Sequence, residues 1–176
     1  YSAMTRWGVF YYPDANGRPL ANVMLIDSYR DRLEFPALKT ELRQQYRDHH
    51  ADTILIEQRG SGISLYQEMG SMGMPIEPVN TGRMGAGISN DKVARANAVV
   101  DIFKSGIVWY NPSCKLNEVT IEECSDLPRG DNDDLADTVT QALKRLRDGY
   151  FVGTQHDEDQ IYDEDDETVR PRGRIY

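Results

Sequence analysis

The chain is poor in the residues on which several chemistries depend. Only two of its 176 residues are cysteine, Cys114 and Cys124, too few for a disulfide framework or a four-ligand zinc site. Its three histidines show no HExxH spacing, and no Ser/His or Cys/His set points to a covalent nucleophile. No apolar run approaches the roughly 18 residues needed to span a bilayer. No signal-peptide pattern opens the chain, and GxxxxGK[ST] is missing, so no P-loop is expected. A reducing, intracellular setting with no membrane fits this composition.

What is present is acid. The formal charge is -9, but eight of the 29 acidic residues fall between Asp157 and Glu167 with no base among them, followed by Arg170, Arg172 and Arg174. Without everything after Gly153, 21 acids face 17 bases, so the body carries only -4. The chain therefore reads as one folded domain, 1-153, and a tail, 154-176, acidic and then arginine-containing. With almost no apolar residues the tail cannot offset its ordering entropy, and it is expected to be disordered.

Hydrophobic periodicity gives the order of elements. Thr5 to Tyr12 and Asn22 to Tyr29 read as strands joined by the turn residues Pro13-Asp14-Ala15-Asn16-Gly17, too short a link for anything but an antiparallel hairpin. Phe35-Pro36 opens a helix with Leu38, Leu42 and Tyr46 at four-residue spacing, ending at His49-His50. Thr53 to Glu57 is a short apolar run of the kind found in buried parallel strands. Then come a helix from Ile63 to Met69 closed by Gly70, a weak strand from Pro75 to Asn80, and a flexible loop from Gly82 to Gly87. Asn90 is expected to cap a helix from Asp91 to Ser105 with Val93, Ala96, Val100 and Phe103 inward and Gly106 at its end. Ile107 to Tyr110 reads as a strand, Lys115 to Cys124 as a helix, Leu127 to Asn132 as a loop. The last helix, from about Asp133 to Arg147, buries Leu135, Val139, Ala142, Leu143 and Leu146. The fold class is α/β, a mixed sheet in three layers with helices on both faces.

Chemistry concentrates in two places. Asp133, Asp134 and Asp137 share one face at the start of the last helix. Acids also stabilise any helix N-terminus, so this spacing alone favours a solvated face. Glu57 stands at the carboxyl end of a buried strand, before Gly60-Ser61-Gly62, where open α/β sheets place ligands. A structural ion pair with Arg59 is an equally good account of it. If strand and helix pack side by side, these oxygen donors converge, and hard oxygen ligands select Mg²⁺ or Mn²⁺. The GSG turn offers a phosphate cradle at a helix N-terminus, although such a turn is more often only a turn. Lys92, Arg95, Arg59, Arg83 and Arg129 are candidate contacts to a phosphate backbone, each more often a solubilising surface charge. The two thiols read as core fillers.

Taken together, SAMTRWGVFYY, LIDSYRDRLEFPALKTEL, TILIEQRGSGISLYQEM, DKVARANAVVDIFKSGIVW and LPRGDNDDLADTVTQAL resemble the carboxyl-terminal nuclease domain of the bacteriophage terminase large subunit, in unbroken order from about Tyr1 to Arg147. The resemblance implies an RNase H-like fold, with about five strands of which one runs antiparallel. It also implies a metal-dependent endonuclease that cuts concatemeric viral DNA during genome packaging in the host cytoplasm. Implied partners are double-stranded DNA, an ATPase domain upstream in the same polypeptide, the terminase small subunit and the portal protein.

Residue by residue, Glu57 matches the family's acid on its fourth strand and Asp137 the acid of the terminal helix. Asp134 matches a position for an auxiliary acid or histidine near the metals, with Asp133 adjacent. Lys92 and Arg95 match the family's KxxR segment. The family's first catalytic aspartate precedes the segment that Tyr1-Ser2-Ala3 resembles, and neither Asp14 nor Asp27 replaces it. The resemblance thus leads one to expect an incomplete metal site and a gap in the sheet, with open edges that invite dimerisation or strand exchange. The implied chemistry is two-metal phosphodiester hydrolysis. The alternatives are a non-catalytic module docking DNA or the portal, and an RNase H-like junction resolvase.

Overall fold

The computed structural model describes residues 1–79, 88–127, 130 and 132–153, with side chains except at 88–93 and 95. Two long strands, β1 (Ser2–Pro13) and β2 (Pro19–Asp31), form the antiparallel hairpin, and both extend beyond the ends the sequence suggests. Its turn is closed by the Asp14 carboxylate, which accepts from the Asn16 and Arg18 amides at 2.8 Å each, and Gly17 takes φ +78°. Helix α1 (Phe35–His49) starts with Pro36 in its first turn and ends at His50 in the left-handed conformation. Then follow β3 (Ile54–Glu57), α2 (Ser61–Ser71), β4 (Ile76–Val79), α3 (Ile88–Lys104), β5 (Val108–Tyr110), α4 (Lys115–Asp126) and α5 (Asp134–Asp148).

The five strands among the described residues divide into two sheets. One has the order β1-β2-β5 with β5 parallel to β2; the other is the parallel pair β3-β4. This corrects the expectation of a single mixed sheet. Among the described residues β1 has a ladder only with β2, and β3 only with β4. Side chains rather than a ladder join the sheets: Met4 of β1 packs into the same core as Ile54, Ile56 and Ile76, together with Leu42 of α1 and Leu65 and Met69 of α2.

The opposite faces carry the other helices. Val23 of β2 is fully buried against Val99 and Ile102 of α3 and Val139 and Leu143 of α5, with Trp7, Ala21 and Val108 beside them. Helix α4 lies on β2 through polar contacts instead: Ser28 Oγ donates to Asn117 Oδ1 at 2.8 Å, and Thr120 Oγ1 donates to Ser28 Oγ at 2.9 Å, all three residues buried. Helices therefore cover both sides of the strands, α1 and α2 on one and α3, α4 and α5 on the other.

Three sequence expectations shift. Helix α3 begins at Ile88, so Asn90 sits in its first turn and does not cap it. Its buried residues are Val99 and Ile102, and Phe103 packs against the same core as expected, while Val100 is exposed; in a stretch as uniformly apolar as Ala98-Val99-Val100 the period leaves the register open. Helix α2 takes in Ser61, Gly62 and Gly70, running past the glycine expected to close it. The loop from Gly82 to Gly87 and the tail after Gly153 lie outside the described residues. Among the described residues no helix is long and apolar enough to cross a membrane.

Two glycines of α2 make opposite predictions. A Cβ on Gly62 would stand 2.0 Å from the carbonyl oxygen of Glu57, whereas one on Gly70 would meet nothing within 4 Å. Gly62→Ala should lower unfolding stability by about 1–3 kcal/mol through overpacking, and Gly70→Ala, in the last turn of the helix, should raise it by roughly 0.5 kcal/mol. Urea unfolding of the two variants checks both signs.

Candidate functional site

The candidate site is built on the end of β3 and the start of α5. Ile54 and Ile56 point into the core beneath α1 and α2. Alternation along a strand then turns Leu55 and Glu57 to the opposite face. That face belongs to α5, because Glu77, the β4 partner of Leu55, receives Arg145 of α5 in a two-pronged bond, Nε at 2.7 Å and Nη2 at 2.9 Å. Glu57, half-buried, is thus directed to the same side of the strands as the acidic helix.

Immediately after Glu57 the chain turns sharply. The Arg59 amide donates to the Glu57 carbonyl at 2.9 Å, Gly60 takes φ 55° with ψ -124°, and the Gly62 amide donates to Arg59 O at 3.0 Å. The Gly60-Ser61-Gly62 segment is therefore a compact turn in which Gly60 is accounted for by its left-handed φ and Gly62 by its close approach to the backbone of Glu57. Arg59 is exposed at its edge.

At the other side, Asp133 is the N-cap residue of α5 and Asp134 and Asp137 occupy the first turn, all three half-buried. The Asp137 amide donates to Asp133 O at 2.8 Å. The next residue, Thr138, is tied to β1: Thr5 Oγ1 donates to Thr138 Oγ1 at 3.0 Å, while Trp7 Nε1 donates to Thr5 Oγ1 at 3.0 Å. Helix α5 consequently runs from β1 at its acidic end to β4 at its basic end, bridging both sheets. Carboxylates at its N-terminus and Arg145 and Arg147 in its last turn also match the helix dipole.

The oxygen donors fit Mg²⁺ or Mn²⁺ in kind. In number they fall short: among the described residues no group of three or more His, Cys, Asp or Glu side chains is gathered closely enough to hold a metal ion. Glu57, Asp133, Asp134 and Asp137 share a face of the fold without forming a three-ligand set on their own. Of the candidate phosphate contacts, Arg83 and Arg129 lie outside the described residues. Lys92 and Arg95 lie on α3, which packs against α5, and their side chains also lie outside them.

Several residues that hold this geometry had no mark in the sequence reading. Glu77 and Arg145 pair across 68 positions, and Thr5 and Thr138 across 133. Asp101 of α3 pairs with Arg147 of α5; burial pushes its carboxyl up, and the hydrogen bond and charge of Arg147 together with the backbone amides of Asp101 and Ile102 hold it below the ordinary value. Cys124 is a half-buried thiol packed against the core, pushed up to about 12 by desolvation and by the neighbouring Glu123, in keeping with a core filler.

No known family, curated protein or solved structure matches the chain.

The Glu77–Arg145 contact gives a pH prediction. The hydrogen bond from Arg145 holds the Glu77 carboxyl below its ordinary 4.5, against a smaller upward push from desolvation and with help from the charge of Arg145. A depressed acid stabilises the fold above the unfolded value, and the contribution is lost as pH falls through the folded value. Both side chains are more than one-third exposed, 35% and 41%, so screening limits the effect to about 1 kcal/mol or less. Glu77→Gln should cost that much at neutral pH, and its deficit relative to the natural chain should vanish as the solution is acidified below 4.5. Urea midpoints across that range test it; a deficit unchanged by acid would contradict the assignment.

Proposed function

We propose that this chain is the nuclease part of a viral DNA-packaging machine, an RNase H-like domain that hydrolyses phosphodiester bonds of double-stranded DNA with divalent metal. The observation that carries the reading is the common face: Glu57 at the end of β3 and the Asp133, Asp134 and Asp137 turn of α5 lie on one side of the strands, with α5 anchored at both ends.

In this reading Glu57 and Asp137 hold the cations, and Asp134, with Asp133 beside it, adds an auxiliary oxygen. When bound, two divalent ions would activate water and stabilise the leaving 3′ oxygen. The residues of the chain do the rest. Carboxylates on separate elements repel one another until a cation joins them, so the rigid seating of α5 against β1 and β4 keeps them from drifting apart. Arg59, exposed beside Glu57, and Lys92, Arg95, Arg83 and Arg129 would neutralise the DNA backbone, which makes affinity fall steeply with salt. The small net charge of the body, -4 without the tail, is no obstacle, because cations reverse the local sign at the acids.

Plasmid nicking by the intact protein in Mn²⁺ tests the proposal. Glu57→Ala and Asp137→Ala should each reduce nicking by about 100-fold or more, beyond what loss of an outer residue costs, with DNA binding retained. Cleavage undiminished in either variant overturns the assignment. Salt-sensitive DNA binding with no cleavage under any divalent metal would instead favour a docking module, and a preference for four-way junctions over linear duplex would favour a resolvase.

A further inference from the structure

We infer that Glu123 of α4 is a positioning residue for the acidic turn of α5; its link to metal binding rests on the nuclease reading, whereas its link to the helix does not. Glu123 is 9% exposed, a degree of burial that a carboxylate tolerates only when paired. Both of its oxygens are engaged. Oε1 pairs with the Arg30 guanidinium of β2, and Oε2 accepts the backbone amide of Leu135 at 3.2 Å in a buried bond.

Leu135 is the second residue of α5, and its amide is one of those that the first turn of a helix leaves without an intrahelical acceptor. The N-cap side chain ordinarily serves it. Here Asp133, in the N-cap position, makes no side-chain cap bond, and the carboxylate arrives from a different helix 12 residues upstream. This division of labour leaves Asp133 to other contacts and makes the attitude of the first turn a tertiary property. Asp134 immediately precedes the clamped amide and Asp137 follows two residues later.

The clamp is itself held. Arg30 balances its charge from β2, and Ser28, two residues earlier on the same face of that strand, locks α4 through Asn117 and Thr120. A continuous path of buried and half-buried polar contacts therefore runs from β2 through α4 to the turn that carries the acids. Removing the Glu123 carboxylate frees the Leu135 amide and releases the turn, and a released turn presents Asp134 and Asp137 to a cation less often in the right place.

The experiment compares Glu123→Ala and the isosteric Glu123→Gln with the natural sequence in the intact protein, with two readouts. Amide hydrogen exchange across residues 135–138 should accelerate tenfold or more in Glu123→Ala and less in Glu123→Gln, which retains an acceptor oxygen. The Mn²⁺ concentration for half-maximal nicking should rise by about 10- to 100-fold, with the rate at saturating Mn²⁺ largely recovered. If exchange at these amides and the Mn²⁺ requirement both stay unchanged while only the melting temperature falls, Glu123 is merely structural and the inference is overturned. Glu123→Gln preserves shape and supplies the answer should Glu123→Ala fail to fold. Accelerated exchange in a protein whose natural sequence neither binds Mn²⁺ nor cuts would uphold the clamp and overturn the nuclease reading instead.

Discussion

Helix α5 is fixed to two sheets that share no ladder among the described residues. Thr138 meets Thr5 on β1, and seven residues on, Arg145 meets Glu77 on β4. Between them Val139 and Leu143 are fully buried against β2 and α3. Burial of such side chains is worth about 1.5–3 kcal/mol each, whereas an exposed ion pair such as Arg145–Glu77 contributes about 1 kcal/mol or less. Packing thus supplies the affinity of the helix for the strands. The polar contacts at its ends fix direction, which apolar packing leaves loose.

The same division recurs between β2 and α4. Their contact is lined by Ser28, Asn117, Thr120, Arg30 and Glu123, and Asn117 Nδ2 also reaches the carbonyls of Leu25, Ile26 and Asn111 at 3.0–3.2 Å. Each hydrogen bond adds only about 0.5–1.5 kcal/mol net, but leaving any one of these buried groups unpaired costs more. A seam of this kind tolerates one arrangement. It ends at Leu135, at the base of the turn that carries Asp134 and Asp137.

Much of the fold was legible because local rules governed it. The hairpin, α1 with its Phe35-Pro36 start, the short apolar β3 and the amphipathic α5 all follow from period and turn chemistry. The register of α3 was not, because Ala and Val on several sides of a helix give no stripe to read. The division into two sheets was not either, since ladders depend on which edges meet. Within the site, Glu57 and the aspartates could be named from position, but not their shared face, which required Arg145 to find Glu77. Glu123 was not singled out at all. The signal was nonetheless present: Asn117, Thr120 and Glu123 recur at three-residue spacing, a polar stripe on one helix face, and Ser28 and Arg30 alternate on β2 to receive it.

The proposed nuclease activity requires Glu57 and the first turn of α5 to act on one cation, although they come from elements 77 residues apart. Titration of isotope-labelled intact protein with substoichiometric Mn²⁺, read by paramagnetic broadening of backbone amides, measures this directly. Signals from Glu57 and Gln58 and from Asp134 to Asp137 should broaden together at the same Mn²⁺ concentration and recover on chelation. Broadening confined to one group, or spread over the acidic surface without preference for either, would contradict it.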